Sequence, residues 1–226
     1  MSTIHKGISL ESIKAGDVLL CYIANDHPVF ERIREATGSK YTHAAFCVGD
    51  GMVGHATPPR VEITPLKHVV ESADHVAVFR QPDAWDPIRI KLLSVFVNEA
   101  VARGAKYDSA GLRHFEANKE LHEKTLHDRL TQLHEGTLPP ESTEDKAYTC
   151  SGFLAAGFRA TGFFERSASL LYNPDTTAPG DLGKDPSWGT FVGYVSLKDG
   201  YEIPLDDEFY NESTFAEIWE DASEGA

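Results

Sequence analysis

Tyr41-Thr42-His43-Ala44-Ala45-Phe46-Cys47-Val48-Gly49-Asp50-Gly51-Met52-Val53-Gly54-His55-Ala56 holds most of the chemistry in this chain. Two runs rich in aromatic and β-branched residues flank Gly49-Asp50-Gly51, so the stretch reads as a β-hairpin with a histidine on each strand. Side chains alternate between the two faces of a strand, and the turn therefore decides whether His43 and His55 meet. A two-residue Asp50-Gly51 loop pairs Gly49 with Met52 and separates the histidines. A three-residue Gly49-Asp50-Gly51 loop pairs Val48 with Met52, sets His55 opposite Ala45 and brings both histidines to one face. Gly51 tolerates the positive φ that the second loop needs, so the second is the expectation.

Outward from the hairpin, the first half of the chain reads as strands. Apolar or β-branched runs over 18–23, 42–48, 52–56, 61–64 and 75–80 are bounded by Gly, Pro or polar residues. The middle reads as helices. Asp86-Pro87 is an N-cap followed by proline at the first helical position, and Ile88, Leu92, Val95 and Phe96 continue the pattern to a stop at Gly104. A second helix is expected over about 112–135, ending at Gly136; its apolar positions are sparse and its faces charged, which suggests an exposed excursion. Residues 137–145 read as a returning loop. A third helix starts at Cys150 with Phe153, Leu154, Gly157 and Phe158 on one side and Gly162 as its stop. A long Pro/Gly/Asp-rich loop then leads to a strand over 190–196. From Leu205 the chain is acidic, and Phe215, Ile218 and Trp219 have the spacing of one short docking helix. This order of strands, a helical block and a returning strand gives an α+β class.

Composition narrows the function. The chain has 226 residues, 41% of them hydrophobic and 25% charged, and no internal repeat or linker divides it. No apolar run approaches the roughly 20 residues of a membrane-spanning helix, so no integral membrane segment is expected. With 21 Lys plus Arg against 35 Asp plus Glu, the formal charge of -14 disfavours nucleic acid as a partner. The N-terminal stretch lacks the basic and apolar regions of a secretory signal, so the expected location is the cytoplasm. Signal-independent export, with a delivery or immunity protein as partner, is compatible with this. Three cysteines, Cys21, Cys47 and Cys150, are an odd number in a chain of this size, which argues against a disulfide framework.

Two histidines on one sheet face suit either a metal or a base and its orienter. A third ligand at a zinc-like spacing is missing from the nearby chain, and the two could equally be a base and its orienter, a use that requires neither a metal nor an organic cofactor. One imidazole would take a proton from a nucleophile while the other fixes its tautomer. Cys150 supplies the nucleophile, because unpaired N–H groups at a helix start lower a thiol's pKa and also stabilise an oxyanion.

Thr42-His43, the later His55, and Tyr148-Thr149-Cys150-Ser151-Gly152-Phe153 resemble the circularly permuted NlpC/P60 group of papain-like thiol hydrolases, the YaeF/YiiX-like enzymes. The histidine precedes the cysteine here, as in the permuted branch. Ala15-Gly16-Asp17-Val18-Leu19-Leu20, Gly104-Ala105-Lys106-Tyr107-Asp108 and Ala178-Pro179-Gly180-Asp181-Leu182 extend the similarity over most of the chain between Gly16 and Val195. The resemblance implies a permuted papain-like fold, in which an antiparallel sheet packs against the helix carrying the cysteine. A catalytic domain would cover 1–204, with a helical insertion around 109–147 and an acidic tail over 205–226. It implies Cys150 as nucleophile, His43 as base and His55 as the third member, where many relatives carry Glu. Tyr107 and Ser151 would serve the oxyanion or position the substrate. The implied activity is amide hydrolysis through an acyl-enzyme, with the peptide of bacterial cell wall as first substrate and a delivered antibacterial effector as one setting. The hairpin is also similar to that of lecithin:retinol acyltransferase-like enzymes, which implies lipid amides or esters as the alternative; a binding module on the same fold is the non-catalytic one.

The remaining features rank lower. Cys21 and Cys47 read as packing, and His114, His122, His127 and His134 as a solvated helix face. Trp85, Trp188 and Trp219 read as core or capping residues.

Overall fold

The computed structural model describes residues 4–81, 84–139 and 146–224. Six strands, β1 (Val18–Tyr22), β2 (Tyr41–Gly49), β3 (Met52–Thr57), β4 (Arg60–Pro65), β5 (His75–Arg80) and β6 (Thr190–Val195), form one sheet in the order β4-β3-β2-β1-β5-β6. Every neighbouring pair is antiparallel. The helices are α1 (Pro28–Thr37), α2 (Leu66–Glu71), α3 (Pro87–Ala102), α4 (Ser109–Arg113), α5 (Phe115–His134), α6 (Cys150–Ala160), α7 (Ala168–Leu171), α8 (Pro179–Lys184) and α9 (Phe215–Glu224). The class is α+β, as the order of elements in the sequence implies.

Alternation along the strands divides the core in two. Leu20, Ala44, Phe46 and Ala56 face α3 and α6, whereas Leu19, Ala45, Cys47 and Val53 face the side covered by α2. The α6 helix buries Phe153, Leu154, Ala155 and Phe158 completely. Phe153 stacks on Phe46 of β2 and on Phe96 of α3, at centroid separations of 5.4 and 5.2 Å. Truncating a buried Phe of this kind typically costs about 3–5 kcal/mol, so this aromatic stack fixes α6, and with it the position of Cys150, on the sheet.

The hairpin settles its register by a route that neither loop considered above describes alone. Gly49 pairs with Met52 across a two-residue turn in which Asp50 (φ 52°) and Gly51 (φ 67°) both have positive φ, as the twist of the flanking strands favours. Between that pair and the next, Cys47 with Val53, the register shifts by one residue at Val48. The three-residue loop is thus a two-residue turn plus a β-bulge, and the bulge restores the register that places His55 across from Ala45. A second irregularity lies at the other end of β2. Tyr41 pairs with Tyr22 and His43 with Cys21, which leaves Thr42 as the extra residue. Bulges re-aim the side chains beside them, and the strand segment carrying His43 is bounded by one at each end.

Several elements were not legible in the sequence pattern. The 24–40 connection contains α1, whose start uses Pro28 after the cap His27 and whose stop is Gly38 at φ 62°. The expected helix over 112–135 is two helices that meet at His114, with Asp108 capping the first through the N–H groups of Ala110 and Gly111. Of α5 only Phe115 and His122 are buried. His122 is therefore not part of a solvated face, in contrast to the exposed His114, His127 and His134. The expected long loop before β6 carries α7, a 3-10 turn at Pro174–Thr176 and α8. On α3 the buried side is Leu93, Val97 and Ala100, while Ile88, Leu92 and Val95 are exposed. The acidic stretch after Leu205 packs rather than trails, since Asp207 and Phe209 are both buried. Trp188 is a core residue and Trp219 is exposed. Residues 140–145 of the returning loop lie outside the described residues, as do 225–226.

Candidate active site

Cys150 opens α6, one residue after the N-cap Thr149, whose hydroxyl accepts the N–H of Gly152 at 3.0 Å. Gly152 is required there: a Cβ would come within 2.5 Å of the Pro174 carbonyl oxygen, so only glycine lets the helix start sit on the 3-10 turn. Backbone N–H groups of Ala44, Ser151 and Cys150 itself point at the thiol. The first of these belongs to the residue after His43, which ties the start of α6 to the histidine strand.

His43 Nε2 and His55 Nδ1 are 2.9 Å apart, with their ring planes at 70°. Beyond His55, its Nε2 lies 3.1 Å from Thr64 Oγ1 and 3.5 Å from Glu62 Oε1. Both partners come from β4, where Glu62 pairs directly with His55 and Thr64 with Val53. Sequence reasoning passed over Glu62 and Thr64. Strand alternation carries the signal that finds them, because residues 62 and 64 share the face of His55 once β3 and β4 are paired.

Burial dominates the electrostatics. The His43 imidazole is pushed down to about 3, first by desolvation and then by the neighbouring His55. His55 is also lowered by burial, with Glu62 opposing the shift. Cys150, only 5% exposed, is raised by desolvation despite its three N–H donors and the Ser151 hydroxyl beside it. The sequence led us to expect a lowered thiol at this helix start. Here the loss of water outweighs the N–H groups. Both shifts favour a neutral thiol and a neutral imidazole over thiolate and imidazolium.

Tyr107 lies near the thiol, and burial, followed by Cys150 and Asp108, raises its phenol. It stays protonated and able to donate. Its backbone N–H bonds Pro59 O at 3.0 Å, and an isolated bridge links it to Tyr148, two residues before Cys150. Ser151 lines the space over Cys150 together with Tyr107. It is buried, and its hydroxyl donates to the Thr177 carbonyl at 2.6 Å, which fastens the segment leading into α8 beside Cys150.

The space over Cys150 is small and apolar. Ile33, Leu112, Phe115, Tyr107 and Pro179 wall a volume of about 20 Å³, room for about one water. Tyr107 and Leu112 also line a larger groove of about 480 Å³ between α1 and the α4–α5 corner. Val29, Ala36 and Pro58 form its apolar walls, with Arg32, Glu35, Arg113 and Glu116 around them.

The other cysteines behave as packing residues. Cys21 and Cys47 are buried, and desolvation pushes the Cys21 thiol up to about 12. Among the described residues, no group of three or more His, Cys, Asp or Glu side chains is placed to hold a metal ion. None of the described helices is long and apolar enough to cross a membrane.

No protein-family model matches the chain, and no curated protein does. Among solved structures it is similar to one titled metalloprotein yiiX from Escherichia coli O157:H7, DUF1105, at 14% sequence identity and a TM-score of 0.44. The match covers 67% of this chain and 68% of the other.

Proposed function

We propose that the protein is a cysteine hydrolase with a permuted papain-like arrangement, in which Cys150 is the nucleophile, His43 the general base and His55 its orienter. The observations that support this reading are the 2.9 Å contact of His43 Nε2 with His55 Nδ1 and the N–H of Ala44, the residue after His43, directed at the Cys150 thiol. Spending Nε2 on His55 leaves His43 Nδ1 for the thiol. In the first half-reaction the S–H proton moves to Nδ1, sulfur bonds to the carbonyl carbon, and the carbonyl oxygen takes up negative charge. N–H groups at the start of α6 and the Tyr107 hydroxyl supply donors for that oxyanion. Collapse breaks the C–N bond, and the amine leaves with the proton from His43. Water then gives a proton to His43, attacks the thioester and releases the acid while the thiol is restored.

For the acyl donor we propose the peptide of bacterial cell wall. The groove between α1 and α4 offers both cations and carboxylates to a chain bearing both charges. A second reading, a lipid ester or amide, is favoured by the apolar walls around Cys150. Incubating the protein separately with purified muropeptides and with phospholipid vesicles, and reading products by mass spectrometry, tests both. A peptide-bond cleavage that is lost in Cys150→Ala is expected. Free fatty acid with intact muropeptides would transfer the assignment to lipids, and full turnover by Cys150→Ala would remove the hydrolase mechanism altogether.

A further inference from the structure

The histidine pair can only act as a base if its protons run in one direction, and the groups at its far end determine that direction. A neutral imidazole carries one N–H, so the contact between His43 Nε2 and His55 Nδ1 has two possible arrangements. In the first, His43 donates from Nε2, its Nδ1 is a bare lone pair, and His55 carries its proton on Nε2. In the second, His55 donates from Nδ1, and His43 carries its proton on Nδ1, where it blocks removal of the thiol proton. Competence is therefore decided at His55 Nε2.

Two groups face that nitrogen, Thr64 Oγ1 at 3.1 Å and Glu62 Oε1 at 3.5 Å. The Thr64 hydroxyl both donates and accepts, so it supports either arrangement equally. A carboxylate only accepts. We propose that Glu62 is a positioning residue that holds the proton on His55 Nε2, thereby making His43 Nδ1 the basic nitrogen toward Cys150. The inference rests on the catalytic reading of Cys150, His43 and His55 given above.

The register supports this role. Glu62 stands directly across from His55 in the β3–β4 ladder, and Thr64 lies on the diagonal. The Glu62 side chain is 41% exposed, so its charge keeps much of its hydration while its partner is nearly buried. The titratable groups facing His55 are His43 from β2 and Glu62 from β4, and Arg60 lies two residues along the same face of β4. Glu62 is the acceptor-only group among those facing His55 Nε2.

The test uses Glu62→Gln in the full-length protein, since a Gln amide is of the same shape and can donate. Long-range nitrogen–proton NMR of the imidazoles should show Nε2–H on both histidines in the native protein, and a fraction of Nδ1–H on His43 in the variant. Turnover should fall about tenfold through kcat with KM nearly unchanged, a part of what a positioned base contributes. The acidic limb of kcat should also move to lower pH, because the lost carboxylate no longer favours protonated His55. Glu62→Asp should recover most of the rate, and Thr64→Val should do less harm than Glu62→Gln. Nδ1–H on His43 in the native protein, or unchanged tautomers and pH profile in Glu62→Gln, would overturn the proposal. Turnover by Cys150→Ala would instead remove the catalytic reading, and the NMR result would still decide the proton direction.

Discussion

Two histidine clusters on the sheet of this molecule differ in how their ring nitrogens are engaged. His75 is completely buried on β5, and both its ring nitrogens are engaged: Nε2 with Asp207 at 3.1 Å and Nδ1 with the Tyr201 hydroxyl at 3.0 Å. Tyr41 and Tyr194 donate to the same carboxylate at 3.0 and 2.6 Å, and Tyr22 stacks on the ring. Burial works against the Asp207 charge, yet hydrogen bonds from His75, Tyr194 and the Phe209 N–H hold its carboxyl below the usual range. Such a network, satisfied at each end, holds the acidic C-terminal stretch to the sheet. His43 and His55 are linked to each other through one ring nitrogen apiece, on the strand whose Ala44 N–H points at the Cys150 thiol. The lesson is that burial alone does not mark a functional histidine. In the proposed mechanism it is His43 Nδ1, the nitrogen that His55 does not engage, that serves the thiol.

The comparison breaks most sharply by exchanging the losses. Cys150→Ala should leave no measurable turnover while the protein still melts cooperatively. Asp207→Ala should cost about 3–5 kcal/mol as one partner of a buried pair is removed, a fall in Tm on the order of 10 °C. The folded fraction of that variant should retain its kcat. Equal loss of turnover per folded molecule in both variants would erase the distinction. Next in size, His43→Ala should lower kcat by about 10²–10⁴, the range for a general base, while His75→Gln should act on stability instead.

Acidification separates the clusters in a third way. His43 has a folded pKa of about 3 and His55 is also lowered, both by burial first. The unfolded chain binds more protons than the folded one wherever pH lies between these values and the ordinary histidine value near 6.5. Stability from this pair is therefore complete above about pH 6.5 and declines as pH falls toward 3. Asp207 adds to the loss only further down, below the ordinary carboxylate range. Urea melts at pH 7.5 and 4.5 should show this decline, and it should be smaller in His43→Phe. An unchanged pH slope in that variant would contradict the burial account of His43. The smallest effect is expected at the cover of the site, where Leu112→Ala should open the space over Cys150 and raise its alkylation rate several-fold, read by iodoacetamide labelling with Cys150→Ala as the blank.

Much of the scaffold was legible because its strands are short, β-branched and punctuated. The run over 75–80 emerged as β5 with the same bounds, and the Asp86-Pro87 signal starts α3 with the Asp86 carboxylate accepting from Ile88 and Arg89. His43, His55 and Cys150 were singled out by context, and the meeting of His43 with His55 rests on the turn. There the sequence pointed to the right face through the wrong loop, since a bulge at Val48 has no residue signature of its own. The α1 helix escaped notice because its single buried residue, Ile33, provides no periodic apolar face. Glu62 and Thr64 were invisible as site residues because they acquire meaning only when β4 pairs with β3. The direction of the thiol shift was misread for a related reason. A helix start is local and visible in sequence, whereas the covering of Cys150 by Ile33, Leu112 and Phe115 depends on three separate segments.

The central claim is that the Cys150 sulfur carries the acyl group during turnover with His43 as its base. Intact-protein mass spectrometry after rapid acid quench with an activated acyl ester measures this directly. The account expects one acyl adduct that maps to Cys150, accumulates slowly in His43→Ala, and does not form in Cys150→Ala. Ester turnover that leaves Cys150 unmodified, or persists without it, would contradict the account.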